Sequence, residues 1–197
     1  EQHGGVVEVN AAPGLRMHLQ PSFGKGRDVG KAIMSMLYAP GDDGRIPVIA
    51  VTGTNGKTST VSFLAELLEG AGERVAVMGT VAYRFEGKAL SAPNTTPDAL
   101  VIHRFARDAL NLGATALALE VSSHALTLER VASVRFDAVG FTNLSRDHLD
   151  FHETFDEYIK AKKGFFDSLP PTAFALTNRD DKNGEVMLQN TLADKRT

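Results

Sequence analysis

At 197 residues with 43% hydrophobic content, the chain can bury one sizeable core but hardly two, so one main domain with an appendage is expected. The net charge of -3, spread over mixed lysines, arginines and carboxylates, offers no basic field to a nucleic-acid backbone and no basic amphipathic stretch to a membrane surface. There is no cysteine, hence no disulfide framework or thiolate metal site, and no apolar run suits a signal peptide or a span; a soluble cytoplasmic protein is the expectation.

In chain order, the first 45 residues carry Gly, Pro and polar residues without a clear period, apart from a short helical reading at 28–38, and "APGDDGR" (39–45) reads as a linker. The sequence holds no internal repeat and no low-complexity tract. From Ile46 onward, short runs rich in Val, Ala and Ile alternate with segments of helical period. That alternation is the pattern of βαβ units around a parallel sheet, so the expected fold class is α/β, a mainly parallel sheet flanked by helices. "IPVIAVT" (46–52), "RVAVMG" (74–79), "TALALEV" (115–121), "DAVGFTN" (137–143) and "AFALT" (173–177) read as strands. Val61, Leu64, Leu67 and Leu68 mark one helix face; Ala99, Ile102, Phe105, Ala106 and Ala109 mark another, with Pro97 where a first helical turn tolerates it. Each strand ends in polar residues, at the edge where open α/β sheets bind ligands.

The first such end is "VIAVTGTNGKTST" (48–60). It resembles a phosphate-binding loop whose leading glycine, five residues before Gly56, is replaced by Val51. Its context fits, since an apolar strand runs into a Gly-containing turn and a helix begins near Lys57. Backbone N–H groups and the positive helix end favour phosphate, Lys57 can reach the terminal phosphates, and Thr58 can place a hydroxyl on Mg²⁺. The plainer alternative is an ordinary strand-to-helix turn capped by Thr or Asn. "SAPNTTPDAL" (91–100) opens a helix with Asn94, Thr95 and Thr96 able to donate to an anion, or simply to cap it. In "LEVSSH" Glu120 ends a strand facing the nucleotide loop, a plausible hard-cation ligand, while Ser122 and Ser123 fit a helix cap as well as a site. "FTNLSRDHLDFH" crowds Asp147, His148, Asp150 and His152 at another strand end. In the helix at 154–167, Lys162 falls on the apolar stripe of Phe155, Tyr158, Ile159, Phe165 and Phe166, whereas Lys160 and Lys163 point elsewhere. A lysine so placed either snorkels its charge to water or sits in a site with a perturbed or covalently modified amine.

Together "GTNGKTS", "NTTPDAL", "EVSSHAL", "FTNLSRDHLDFH" and "YIKAKKGFF" resemble the central ATP-binding domain of the Mur ligases, nearest to the UDP-N-acetylmuramoyl-tripeptide synthetase type, over about Ile46 to Ala193. The resemblance implies a P-loop domain in an enzyme where ATP phosphorylates the carboxyl end of a UDP-muramoyl dipeptide. The amine of an amino acid then attacks the acyl phosphate. By this likeness Gly53, Thr54, Asn55, Gly56, Lys57, Thr58 and Ser59 bind ATP; Asn94, Thr95, Thr96, Ser122 and Arg130 hold the muramoyl peptide. Thr58, Glu120, His148 and Lys162 serve Mg²⁺, with Lys57, Lys162 and His148 catalytic. Lys162 matches the lysine that the family carbamylates. Leu128 stands where the family usually has Gln, and Ser59 replaces a usual threonine.

Residues 1–57 instead resemble the junction of cyanophycin synthetase, where an ATP-grasp domain ends; Glu8 and Asn10 match metal ligands there, within an otherwise missing domain. The implied organisation is a remnant and linker over 1–45 and an incomplete Mur ligase central domain over 46–197. The family's amino-terminal UDP-binding and carboxyl-terminal domains are not seen in it. Three functions stand as expectations: an amide ligase core of peptidoglycan precursor synthesis, an ATP-binding module without ligation, and an aspartate-arginine polymer ligase of the cyanophycin type. None involves nucleic acid or membrane.

Overall fold

Strand and helix formation in this chain follow from where its apolar side chains repeat. The computed structural model describes residues 14–38, 40, 44–145 and 154–197. The chain divides into two units, residues 1–45 and 46–197. In the first, α1 (Arg16–Leu19) precedes α2 (Val29–Leu37), which starts at Asp28, whose carboxylate accepts the Lys31 N–H at 2.9 Å. α2 falls where the sequence predicts a helix.

Among the described residues the second unit is built on one eight-stranded sheet. Its strands in chain order are β1 (Val48–Thr52), β2 (Val75–Met78), β3 (Tyr83–Phe85), β4 (Lys88–Leu90), β5 (Ala116–Glu120), β6 (Ala138–Phe141), β7 (Phe174–Thr177) and β8 (Asp194–Arg196). They lie in the order β4-β3-β2-β5-β1-β6-β7-β8, with the β2–β3 and β3–β4 pairs antiparallel at one edge and the other pairs parallel. The five expected strands are all present. The β3–β4 hairpin was not expected; it closes through Glu86 and Gly87, both at positive φ (52° and 71°), the backbone that two-residue hairpins require.

Alternation along the strands sorts the core onto two faces. On one face Val51, Val75, Val77, Ala116 and Ala118 pack against Val61 and Ala65 of α3 (Lys57–Gly70). On the other, Ala50, Met78, Leu119, Val139 and Phe141 meet α4 (Ala99–Asn111), α5 (Ser123–Thr127), α6 (Phe155–Asp167) and α7 (Gly184–Leu188) through Ile102, Leu126, Tyr158, Phe166 and Met187. Leu67 is not on the buried face of α3; it is 74% exposed, because six residues from Val61 turn it about 240° around the helix. Pro97 lies before the helix rather than in its first turn: Asp98 caps α4, accepting the Val101 N–H at 3.1 Å. Among the described residues no helix is long and apolar enough to cross a membrane.

Candidate functional site

The register of the central strands brings three carboxyl ends to one point. Val51 pairs with Glu120 on β5, and Thr52 with Phe141 on β6, so the loop after β1 emerges between the residues that follow those two strands. Two glycines shape that loop. At Gly53 (φ 143°) an added Cβ would lie 2.0 Å from Thr142 Oγ1; at Gly56 (φ 81°), the residue before α3, the backbone is left-handed and the space around the absent Cβ is open. The segment after β6 fixes the rest. The N–H groups of Thr54 and Asn55 donate to the carbonyl and side-chain oxygens of Asn143 (2.8 and 3.1 Å), while Thr142 Oγ1 and Asn143 Nδ2 donate to the Asn55 carbonyl (2.7 and 3.1 Å). The loop's first N–H groups are therefore committed to the scaffold. Its anion-facing part is the electropositive start of α3, ahead of the first intrahelical bond from Thr60 N–H to the Gly56 carbonyl. Lys57 Nζ is drawn over the loop by the carbonyls of Gly53 (3.0 Å) and Thr54 (2.8 Å).

Glu120 is 2% exposed, and three donors hold its carboxylate. Oε2 accepts from Thr58 Oγ1 (2.9 Å) and Thr80 Oγ1 (3.1 Å), and Oε1 from Thr80 N–H (3.0 Å). Gly79 makes the room, since a Cβ there would sit 2.0 Å from Glu120 Oε1. A hydroxyl and a carboxylate in contact are hard oxygen donors that suit Mg²⁺. No three of His, Cys, Asp and Glu gather among the described residues, so a cation here would draw its other ligands from water and phosphate, which Mg²⁺ favours. The donor set and the two glycines fit magnesium and a nucleotide phosphate.

Beside it runs the 94–96 segment. Thr96, buried, donates from Oγ1 to the Glu120 carbonyl (2.8 Å) and accepts the Ser122 N–H (3.0 Å); Arg130 Nη1 donates to the Thr96 carbonyl (2.9 Å) and the Tyr83 hydroxyl to that of Asn94 (2.6 Å). Burial pushes the Tyr83 phenol up, against the lowering effect of that bond and of the Arg130 charge. Thr95 Oγ1 lies 3.0 Å from Thr80 Oγ1. The expectation that the Thr96 hydroxyl donates to an anion at the helix start is corrected: its proton is spent on Glu120, and α4 begins under its own Asp98 cap. Ser122 does cap α5, accepting the Ala125 N–H at 3.2 Å, as the plainer reading of the serine pair holds.

Lys162 is fully buried, which rules out the snorkelling alternative. Its Nζ donates to Thr52 Oγ1 (3.2 Å) and the Gly53 carbonyl (3.4 Å) and lies 4.8 Å from the centre of the Tyr158 ring. No carboxylate pairs with it among the described residues. Burial, and secondarily the charge of Lys57, lowers its pKa from 10.5 to about 7. Tyr158 and Phe166 flank it on α6, and each fully buried aromatic contributes roughly 2–3 kcal/mol, the scale needed to hold a desolvated amine in place. The Tyr158 hydroxyl, 2.9 Å from Thr54 Oγ1, ties this helix to the loop above.

These groups surround a cavity of about 470 Å³ lined by Thr54, Asn55, Gly56, Lys57, Thr58, Thr80, Asn94, Thr95, Thr96, Glu120, Ser122, His124, Leu128 and Arg130. The structure thus brings together most of the expected site residues. Gly53 lies behind this wall, Ser59 is exposed on α3, and Lys162 sits beneath the loop. His148, with Asp147, Asp150 and His152, and Glu8 and Asn10, lie outside the described residues. A larger cavity of about 580 Å³ between the 131–136 segment and α6 contains none of the expected residues and is mostly apolar. Sequence reading missed Gly79, Thr80, Thr142, Asn143 and Asp181, whose carboxylate accepts the Leu144 N–H at 2.9 Å. For Gly79, Thr80, Thr142 and Asn143 the one sequence signal is position, within two residues of the end of an apolar strand, and Asp181 follows β7 after three further residues.

Known proteins resemble this chain in sequence and fold. The Mur ligase middle domain family matches residues 51–196. A relative in Cytophaga hutchinsonii, named UDP-N-acetylmuramoyl-L-alanyl-D-glutamate--2,6-diaminopimelate ligase, is 48% identical over 149 residues, 76% of this chain and 31% of that protein. A protein of the same name in Parabacteroides distasonis is 46% identical over 158 residues, 80% of this chain and 32% of its own length. A solved structure under that enzyme name superimposes with a TM-score of 0.68 at 37% identity, covering 76% of this chain and 31% of the other. The chain spans about a third of the length of the curated relatives it matches.

Proposed function

This chain belongs to the Mur ligase family, and from that premise we propose that residues 46–197 are the nucleotide-binding core of a cytoplasmic ATP-dependent ligase of peptidoglycan precursor synthesis. Its acyl substrate is a UDP-N-acetylmuramoyl-L-alanyl-D-glutamate, and 2,6-diaminopimelate, the amino acid in the relatives' names, is the amine to test first. The terminal phosphoryl group of ATP passes to the substrate carboxylate with release of ADP, and the amine then displaces phosphate to form the amide. The observation that carries this reading is the 2.9 Å hydrogen bond from Thr58 at the start of α3 to Glu120 at the end of β5, which joins a phosphate loop to a cation carboxylate.

In this reading Gly53 to Ser59 hold the nucleotide, with the start of α3 and Lys57 meeting the phosphates. Thr58 and Glu120 hold Mg²⁺, which when bound neutralises charge on the phosphates. Asn94, Thr95, Thr96, Ser122 and Arg130 face the muramoyl peptide, and Arg130 is oriented by the Thr96 carbonyl. His148 is retained as a cation-side residue on the resemblance alone. Lys162, with a pKa near neutral, has the unprotonated amine that carbamylation needs: the nitrogen bonds to the carbon of CO₂ and releases a proton, leaving a carbamate anion. Carbamate formation would relieve the burial of an ammonium beside Lys57 and give the loop an anionic oxygen ligand. A carbamate carbon signal in ¹³C-bicarbonate, absent in Lys162→Met, tests it.

The functional test measures ADP release by the chain with ATP, Mg²⁺, the UDP-muramoyl dipeptide and diaminopimelate. Release that depends on both substrates is expected. ATP binding without substrate-dependent release would leave a nucleotide-binding module, and arginine incorporation onto a cyanophycin primer would favour the polymer ligase.

A further inference from the structure

Thr80 is neither a nucleotide, a cation nor a substrate residue of the proposed ligase, yet it touches both sides of the cavity. A hydroxyl has one proton to give and a carboxylate oxygen only accepts. Thr80 Oγ1 lies 3.1 Å from Glu120 Oε2 and 3.0 Å from Thr95 Oγ1, so its proton goes to Glu120 and the Thr95 hydroxyl must donate to Thr80. The Thr80 N–H fixes the other carboxylate oxygen at 3.0 Å, and Thr58 reaches Oε2 from the nucleotide loop at 2.9 Å. The bonds therefore run in one direction, from Thr95 through Thr80 to Glu120.

We propose that Thr80 is a positioning residue that couples the 94–96 segment to the Glu120 carboxylate, so that what happens at Thr95 alters how Glu120 holds a cation. The inference rests on the nucleotide and cation reading of the cavity. Hydrogen bonds in a chain polarise one another: a Thr95 hydroxyl donating to Thr80 strengthens the bond that Thr80 gives to Glu120. The coupling is reciprocal, so cation binding at Glu120 stiffens the orientation of Thr95. Because its proton is spent on Thr80, Thr95 presents lone pairs to the cavity. The substrate group it meets is a hydrogen-bond donor, a hydroxyl or an amide N–H, rather than a phosphate or carboxylate oxygen.

The experiment titrates Mn²⁺ into the chain in the presence of ADP and reads free Mn²⁺ by electron paramagnetic resonance, with circular dichroism melts as the check on folding. Thr80→Val keeps the shape and the N–H but loses the hydroxyl; it is expected to weaken Mn²⁺ binding about tenfold, and Thr80→Ser to restore it to within about twofold. Thr95→Val is expected to weaken binding about threefold in the native background and to have no further effect in the Thr80→Val background. Equal effects of Thr95→Val in both backgrounds, or native affinity in Thr80→Val, overturn the proposal. Should Thr80→Val not fold, Thr95→Val alone decides, and native Mn²⁺ affinity in it overturns the coupling. Absence of Mn²⁺ and ADP binding in the unsubstituted chain overturns this proposal and the nucleotide reading together; binding without coupling overturns only this one.

Discussion

Replacing Lys162 by Met should change how stability depends on pH in a way that only a desolvated amine produces. In the folded chain the amine titrates at about 7, against 10.5 for the ordinary side chain. The unfolded chain therefore binds this proton more tightly than the folded one across that window. Below the folded pKa both states are protonated and the whole cost of burying the charge is present, about 5 kcal/mol from the shift at about 1.4 kcal/mol per unit. As pH rises toward 10.5 the cost vanishes, so the native chain gains stability with pH where most proteins change little. Lys162→Met has no such cost at any pH. The difference in stability between the two proteins should narrow by about 2 kcal/mol between about pH 7 and about pH 9, with the variant favoured at the lower end. The assay is urea unfolding of both chains at a series of pH values in buffer depleted of carbon dioxide, which keeps the lysine as a free amine. Taking the difference cancels the titrating groups that do not sense the Lys162 charge; Lys57, which does, is a lysine, ordinarily protonated across this window. Parallel pH profiles would refute the reasoning, since they would mean that the amine reaches water in the folded chain.

Leu128 lines the cavity at a position where the resemblance leads one to expect Gln, and its side chain offers no polar atom. Leu128→Gln should tighten binding of the UDP-muramoyl dipeptide roughly fivefold, the worth of one added hydrogen bond, as measured by calorimetry. Gly79→Ala places a Cβ 2.0 Å from Glu120 Oε1, so it should destabilise the chain by about 1–3 kcal/mol in urea and displace the carboxylate from Thr80 and Thr58.

The parallel strands β1, β2, β5, β6 and β7 were legible because each is a short apolar run ending in polar residues, whereas β8, three exposed charged residues paired to β7, gives no such signal. Lys162 was legible for a related reason: a charged residue on an apolar stripe stands out against a helical period. The β3–β4 hairpin escaped notice because its strands are three residues each and only Glu86 and Gly87 mark the turn. Thr80, Thr142 and Asn143 were missed on different grounds. Their roles arise from strand register, which joins Thr80 to Glu120 across 40 residues and Thr142 to Asn55 across 87, and no local pattern encodes such a meeting. Val51, which departs from the usual phosphate loop, proves to be a buried strand residue packed toward α3. The loop takes its shape from Gly53, Gly56 and the bonds to Asn143 instead.

In the proposed function the cavity at the ends of β1 and β5 takes a nucleotide with magnesium, its phosphates held by Lys57 and the start of α3. Calorimetric titration of the chain with ATP and Mg²⁺, beside the Lys57→Ala variant, tests it most directly. Saturable binding by the native chain is expected, with a loss of at least about a hundredfold in the variant, whose phosphates lose their main point charge. Equal affinity in the two proteins, or no binding by the native chain, would contradict it.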